Sequence, residues 1–263
     1  MARPRSALQA LIMRRAASLH RQVAASLAAP PILLPYLRDL LRDCPALGSS
    51  PRRIAALLAR RRIGPRSRVL DLACGKGAGA IELAARTGCR VLGVDAFAPF
   101  IEQARDHASR RNVSDLCEFL VGDVDRFALR GRPFDAAMMI GLYPFDRAAP
   151  ILRRLVAPRG WYLLDDALSI SAGRPLSAAR SETDAFFHSL GDRVLETFIP
   201  PPSTIARANA SLYRRISARA AALARREPRL RHALSSFLAA QRRAHRLLTT
   251  TLRPALWLVR RAE

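Results

Sequence analysis

The chain has 263 residues, 50% of them apolar, with 44 Lys+Arg against 21 Asp+Glu and a formal net charge of +23. That length and apolar content suffice for one large domain with a real core. No apolar run reaches membrane-span length, because Pro30, Pro31 and Pro35 break the best candidate near 24–37. Cys44, Cys74, Cys89 and Cys117 have no paired spacing, which excludes a disulfide framework and reads as reduced, buried thiols of a cytoplasmic protein.

The charge is unevenly spread. Residues 1–65 hold 12 basic and 2 acidic residues, residues 66–166 hold 15 and 13, and residues 167–263 hold 17 and 6. The excess therefore lies in the flanks. Basic flanks favour anionic partners: nucleic acid, a membrane surface or an acidic substrate. Lys76 is the only lysine, so the basic character rests on arginine.

In chain order, Leu8, Ile12, Leu19, Val23 and Leu27 fall at helical spacing among arginines, with no acid before Asp39. This reads as a helix capping the chain's central site, as a basic amphipathic helix on a membrane, or as an organelle transit segment. Short helices follow at about 36–42 and 51–62, the second with Pro51 in its first turn. Gly64-Pro65 then turns the chain into Arg-Val-Leu-Asp-Leu, residues 68–72, a short apolar run that predicts a buried strand.

From there strands and helices alternate. Strands are expected at 68–72, 90–95, 118–123, 134–141 and 160–165, and helices at about 77–87, 98–111 and 146–157. Such alternation predicts a parallel sheet covered on both faces, with its ligand beyond the carboxyl ends of the strands. Asp71, Asp95, Asp123, Gly141 and Asp165 all fall at those ends. After Asp166 come a polar loop at 169–181, a helix at 182–190, a strand at 193–199, two arginine-rich helices at about 203–226 and 229–252, and a last strand at 255–259.

The turn after the first strand contains Gly75, Gly77 and Gly79 and opens a helix, as nucleotide-binding and phosphate-binding loops do. Asp95, 20 residues beyond Gly75, stands where α/β sheets place a partner for ribose hydroxyls. With the ordered strand-end acids, the stretch from about 66 to 167 resembles the class I S-adenosylmethionine-dependent methyltransferases, close to the ubiquinone/menaquinone-biosynthesis type. The resemblance implies a Rossmann-like, doubly wound, mostly parallel seven-stranded α/β sheet whose last strand is antiparallel and inserts between its neighbours. Residues 1–65 would form a basic helical cap. Residues 66–263 would form the methyltransferase domain, with a cofactor-binding core at 66–167 and a helical insertion at 203–252 placed to cover the substrate.

The resemblance also implies the site. Gly75 and Gly77 let the loop approach the methionine part of S-adenosylmethionine, and Asp71 orients that loop and the cofactor's ammonium. Asp95, with Ala96 beside it, accepts from the ribose hydroxyls, while Asp123 and Val124 meet the adenine and Gly141 closes the far side. Ala73 stands where glycine is common in the family, which is tolerable if its φ stays negative. Lys76 stands where threonine is common and is a candidate for the cofactor carboxylate or an anionic substrate, with a solvated loop residue as the other reading. Asp165, Asp166, Tyr143 and His188 are the candidate general bases, with the Asp165-Asp166 pair first, and capping of the following turn is an equal reading for that pair. No metal is expected, since Asp146, Asp165 and Asp166 lack the asparagine of a metal-dependent catechol-type site.

The expected activity is methyl transfer to an anionic or amphiphilic small molecule, at an O, N or C atom. The alternatives are an RNA methyltransferase, or a non-catalytic protein that binds membrane or nucleic acid through its basic helices. Against RNA, Gly141-Leu-Tyr-Pro-Phe145 is not the Asn/Asp-Pro-Pro-aromatic turn of adenine-N6 enzymes. There is also no cysteine after the fourth or fifth strand and no lysine-rich tetrad.

Overall fold

The computed structural model describes residues 22–127 and 132–263; most of the predicted N-terminal helix lies outside them. A 3-10 turn (Pro31–Tyr36), a one-turn helix α1 (Leu37–Leu40) and helix α2 (Pro51–Ala59) precede the sheet. The sheet alternation runs β1 (Arg68–Leu72), α3 (Ala78–Thr87), β2 (Arg90–Asp95), α4 (Ala98–Arg110), β3 (Cys117–Val121), β4 (Phe134–Met139), α5 (Phe145–Leu155) and β5 (Val156–Ser169). Then come α6 (Leu176–Ser189), β6 (Arg193–Phe198), α7 (Pro202–Arg226), α8 (Arg231–Thr250) and β7 (Leu252–Arg260).

The seven strands form one sheet in the order β3-β2-β1-β4-β5-β7-β6. Neighbours from β3 to β5 are parallel, and β7 is antiparallel to both β5 and β6. The two-residue period of a strand sends alternate side chains into two cores. Val69, Ala136 and Met138 join one apolar cluster with α2, α3 and α4. Leu70, Leu72, Ala137 and Met139 join the other, with α5 and α6. This is the predicted doubly wound arrangement with its inserted last strand, and all four cysteines are free and buried.

Two boundaries differ from expectation. The polar stretch expected as a loop to residue 181 instead extends β5 to Ser169 and starts α6 at Leu176, after Pro175 at its N-cap. Pairing with β7 extends β5, Ser169 standing opposite Leu252. Tertiary pairing here overrides weak local strand preference. Likewise, Pro31 and Pro35 favour a 3-10 turn before Leu37, so α1 is shorter than predicted.

A third core joins the N-terminal segment to the α7–α8 hairpin. Leu33, Leu37, Leu40 and Leu41 pack with Ile216, Leu223, Leu230, Leu234 and Phe237, and with Phe97 and Phe100. Arg219 grips Asp43 through Nε and an Nη nitrogen at 2.6 and 2.9 Å, and Arg226 reaches Asp39 at 2.9 Å.

Ala73 corrects a sequence expectation. Its φ is +58°, not negative, in a region where an L side chain costs roughly 1 kcal/mol. Ala73→Gly should therefore raise stability by roughly 1 kcal/mol, read as a higher urea midpoint with an unchanged slope.

Candidate active site

The carboxyl ends of β1, β2, β3 and β4 open into a cavity of 420 Å³. Its floor is Asp71 with the turn Ala73–Lys76, and its sides come from Asp95, Ala96 and Phe97, from Asp123 and Val124, and from Gly141, Leu142 and Tyr143. Leu47, Gly48 and Ser49 of the N-terminal segment close it from above, with Val23, Ser26 and Leu27. This size falls in the usual range for small-ligand sites.

The turn after β1 is built by backbone geometry. Gly75 and Gly77 have φ of +53° and +74°, which glycine adopts without a Cβ penalty. A Cβ on Gly77 would sit 2.8 Å from Phe119, so that glycine lets the helix start close onto β3. A Cβ on Gly75 would meet no atom within 4 Å, leaving room for a ligand against that backbone.

Asp95 holds this turn in place. Its Oδ2 accepts the Gly75 N–H at 2.9 Å and its Oδ1 accepts the Phe97 N–H at 2.8 Å. A carboxylate has about four acceptor positions, so capacity remains on both oxygens. Burial pushes its carboxyl above the ordinary range, and the two backbone donors act against that. Asp71 is 3% exposed and has no ion-pair partner among the described residues. Burial, and then the neighbouring Asp95, push its carboxyl up to about 8. A buried carboxyl without a counter-charge, at the floor of a cavity, suits a ligand that brings a cation.

At the β3 end, Asp123 Oδ1 caps the short turn that follows by accepting the Asp125 N–H at 3.0 Å, and Val124 is buried beside it. Tyr143 faces the cavity, but its hydroxyl donates to Asp125 at 3.0 Å and its ring lies 3.7 Å from the Arg147 guanidinium carbon. Burial, and then Asp125, push this phenol up to about 12, and its proton is held by Asp125.

Asp165 and Asp166 are also committed elsewhere, and exposed His188 does not line the cavity. Neither Asp165 nor Asp166 lines the cavity. Asp165 accepts the Gly141 N–H at 2.7 Å and the Ser49 hydroxyl at 2.7 Å, tying the covering segment to the end of β4. Asp166 accepts the Phe145 N–H at 3.0 Å at the start of α5, rather than capping a turn that follows it, since β5 continues to Ser169. Asp166→Ala should then cost about 1 kcal/mol of stability in a thermal melt while leaving ligand affinity unchanged.

Lys76 is buried, and its ammonium donates to the carbonyls of Leu41, at 2.8 Å, and Cys44. It is neither a solvated loop residue nor turned to a ligand carboxylate. It fastens the N-terminal segment to the glycine turn, using carbonyls left over just past the end of α1. Sequence reasoning missed Leu47, Gly48 and Ser49, whose only signal was a turn before Pro51, and also Arg147 at the cavity edge. Among the described residues, none of 202–250 lines the cavity, and the helical hairpin packs on the N-terminal segment.

Comparison with known proteins agrees with this geometry. A family model described as a methyltransferase domain matches residues 69–160. The sterol 24-C-methyltransferase of Saccharomyces cerevisiae is 36% identical over 72 residues, covering 27% of this chain and 19% of the yeast enzyme. The matched segment thus spans about a fifth of that relative's length. Among solved structures, a SAM-dependent methyltransferase from Thiobacillus denitrificans in complex with S-adenosyl-L-homocysteine superposes with a TM-score of 0.71 at 19% identity, covering 85% of this chain and 97% of that one. One from Geobacter sulfurreducens, also with S-adenosyl-L-homocysteine, gives 0.71 at 19% identity, with 85% and 96% covered. Residues 69–160 thus match a methyltransferase-domain family model, and the chain shares its overall fold with these solved structures.

Proposed function

We propose that this protein transfers a methyl group from S-adenosylmethionine to a small molecule with a sizeable apolar body. The observation that carries the reading is the set of three acids, Asp71, Asp95 and Asp123, ending three successive parallel strands around one cavity beside Gly75. In this reading Asp71 faces the cofactor's ammonium, and the spare acceptor positions of Asp95 take the ribose hydroxyls. Asp123 and Val124 meet the adenine, with Ala96 between them and Gly141 opposite.

The buried, counter-charge-free carboxyl of Asp71 and the open space over Gly75 fit such a group. When bound, the cofactor supplies an electrophilic methyl on a sulfonium. The chain's own part is to bind, orient and exclude water, which is where most of the rate of an in-line displacement is gained. With Tyr143, Asp165 and Asp166 all committed elsewhere, the reading favours an acceptor atom that is nucleophilic without an enzymic base.

Leu47, Ile54, Phe100, Met138 and Ile140 line the cavity and supply its apolar wall. That wall, and the sterol-methylating relative, favour an amphiphilic acceptor over a purely anionic one. Calorimetric titration of S-adenosylmethionine into the full chain should show micromolar binding. Incubation with a methyl-labelled cofactor should then label sterol or acyl-chain acceptors in preference to short polar amines or RNA. Absence of cofactor binding would remove the reading, and label found only in RNA would replace the acceptor.

A further inference from the structure

Residues 202–250 hold eleven arginines, no lysine and a single acid, Glu227. Some of this charge is internal to the fold. Arg215, Arg219 and Arg226 bond to Asp39 and Asp43 of the N-terminal segment, Arg229 bonds to Glu227 and Tyr36, and Arg242 stacks on Tyr213. Of the remaining six, all but Arg231 are turned the other way.

At 100° per residue, Arg207, Arg214 and Arg225 fall within about 20° of one line along α7. The buried residues of that helix, Ile205, Ile216, Ala220 and Leu223, lie on the opposite side. On α8, Arg243 and Arg246 likewise face away from buried Leu234 and Phe237. All five arginines are exposed, and none has an acidic partner among the described residues. Both helices bury their apolar sides in the same core, so both outer faces turn away from it.

A five-arginine face without a counter-charge carries a large self-repulsion, which an anionic partner relieves. We propose that the outer face of the α7–α8 hairpin docks on an anionic lipid surface. Two features favour lipid over nucleic acid. The residues between these arginines are small or aliphatic, Ala210, Ala218, Ala221, Ala239 and Leu247, and Leu247 is 47% exposed. No Phe, Tyr or Trp side chain of the hairpin is exposed, since Phe237 is buried and Tyr213 is half-buried under Arg242, so the face offers no row of stacking platforms beyond the single imidazole of His232. Long helices with an arginine face and small apolar side chains suit the headgroup plane, where arginine stems lie along the surface.

The test is flotation of the full chain with phosphatidylcholine vesicles, with and without 30% phosphatidylglycerol, as about one-third anionic content gives a strong negative surface potential. Binding should require the anionic lipid and fall steeply between about 0.1 M and 1 M salt as the Debye length shrinks. The triple variant Arg207→Gln, Arg214→Gln, Arg225→Gln keeps residues 1–21 and every bond to Asp39 and Asp43. Each surface arginine contributes about a fivefold effect, so this variant should bind about 100-fold more weakly. Its thermal melt and S-adenosylmethionine titration should match wild type, which separates this proposal from the methyl-transfer reading. Equal flotation of wild type and variant would overturn it. So would binding of a single-stranded RNA oligomer without binding to anionic vesicles.

Discussion

Asp95→Ala should weaken S-adenosylmethionine binding by about 100-fold or more in a calorimetric titration. The carboxylate now holds the Gly75 and Phe97 N–H groups and, in the proposed complex, also the ribose hydroxyls. Hydrogen bonds to a charged group contribute about 1.5–3 kcal/mol each, so two lost ribose bonds alone approach that effect. The loop adds to it, since without Asp95 the positive-φ backbone at Gly75 loses the acceptor that fixes it. Asp95→Asn retains one acceptor oxygen and should bind with intermediate affinity. Wild-type affinity in the alanine variant, with an unchanged circular dichroism spectrum, would mean that the ligand lies elsewhere.

Asp71→Asn should act in opposite directions on stability and on binding. In the unfolded chain this carboxyl titrates near its ordinary value of 3.8, whereas in the fold it is pushed up to about 8. Between those values the native state keeps a proton that the unfolded chain has released. Stability should therefore fall as pH rises from about 4 to about 8 and level off above that. The asparagine variant carries no charge to bury, so its urea midpoint should lose this slope and exceed wild type near pH 8. Binding should move the other way. A cationic ligand beside Asp71 favours the ionised form, so wild-type affinity should rise with pH towards 8, with a proton released on binding at pH 7. That release is read from calorimetry in buffers of different ionisation enthalpy. The variant should bind about 10- to 100-fold more weakly and release no proton from this site. A pH-independent wild-type affinity would remove Asp71 from the cofactor's charged end.

Much of the site was legible because its chemistry is attached to strand ends. A buried strand announces itself by a short apolar run, and the residue where the run stops is where a parallel sheet meets its ligand. Asp71, Asp95, Asp123 and Gly141 were found in that way, and all four line the cavity. The candidate bases were not legible in the same way. Asp165 and Asp166 were expected at a strand end too, but β5 continues past them to Ser169, and their partners, Ser49, Gly141 and Phe145, lie from 21 to 116 residues away. An acid's type and position mark it as able to accept a proton. Only its neighbours show whether its acceptor positions are already filled.

Lys76 makes the same point more sharply. Its place in a glycine turn marks it as a ligand contact, but its ammonium is claimed by two carbonyls more than 30 residues upstream. No pattern in the sequence records a bond to a backbone carbonyl, because every residue has one. Ala73 is a smaller case, since its composition is compatible with either sign of φ and the tight turn imposes the left-handed one.

The sequence by itself determined the alternation of strands and helices, the glycine turn, the row of acids and the placement of charge in the flanks. Those are local properties, written in apolar period, backbone permissiveness and residue type. The tertiary structure decided which acids face the cavity and which serve as caps, that the N-terminal segment closes the site through Lys76 and Ser49, and that the arginine hairpin packs on that segment. Such choices depend on hydrogen-bond partners and packing faces brought together from distant parts of the chain. Long-range pairing of that kind has no local signature until the core has formed.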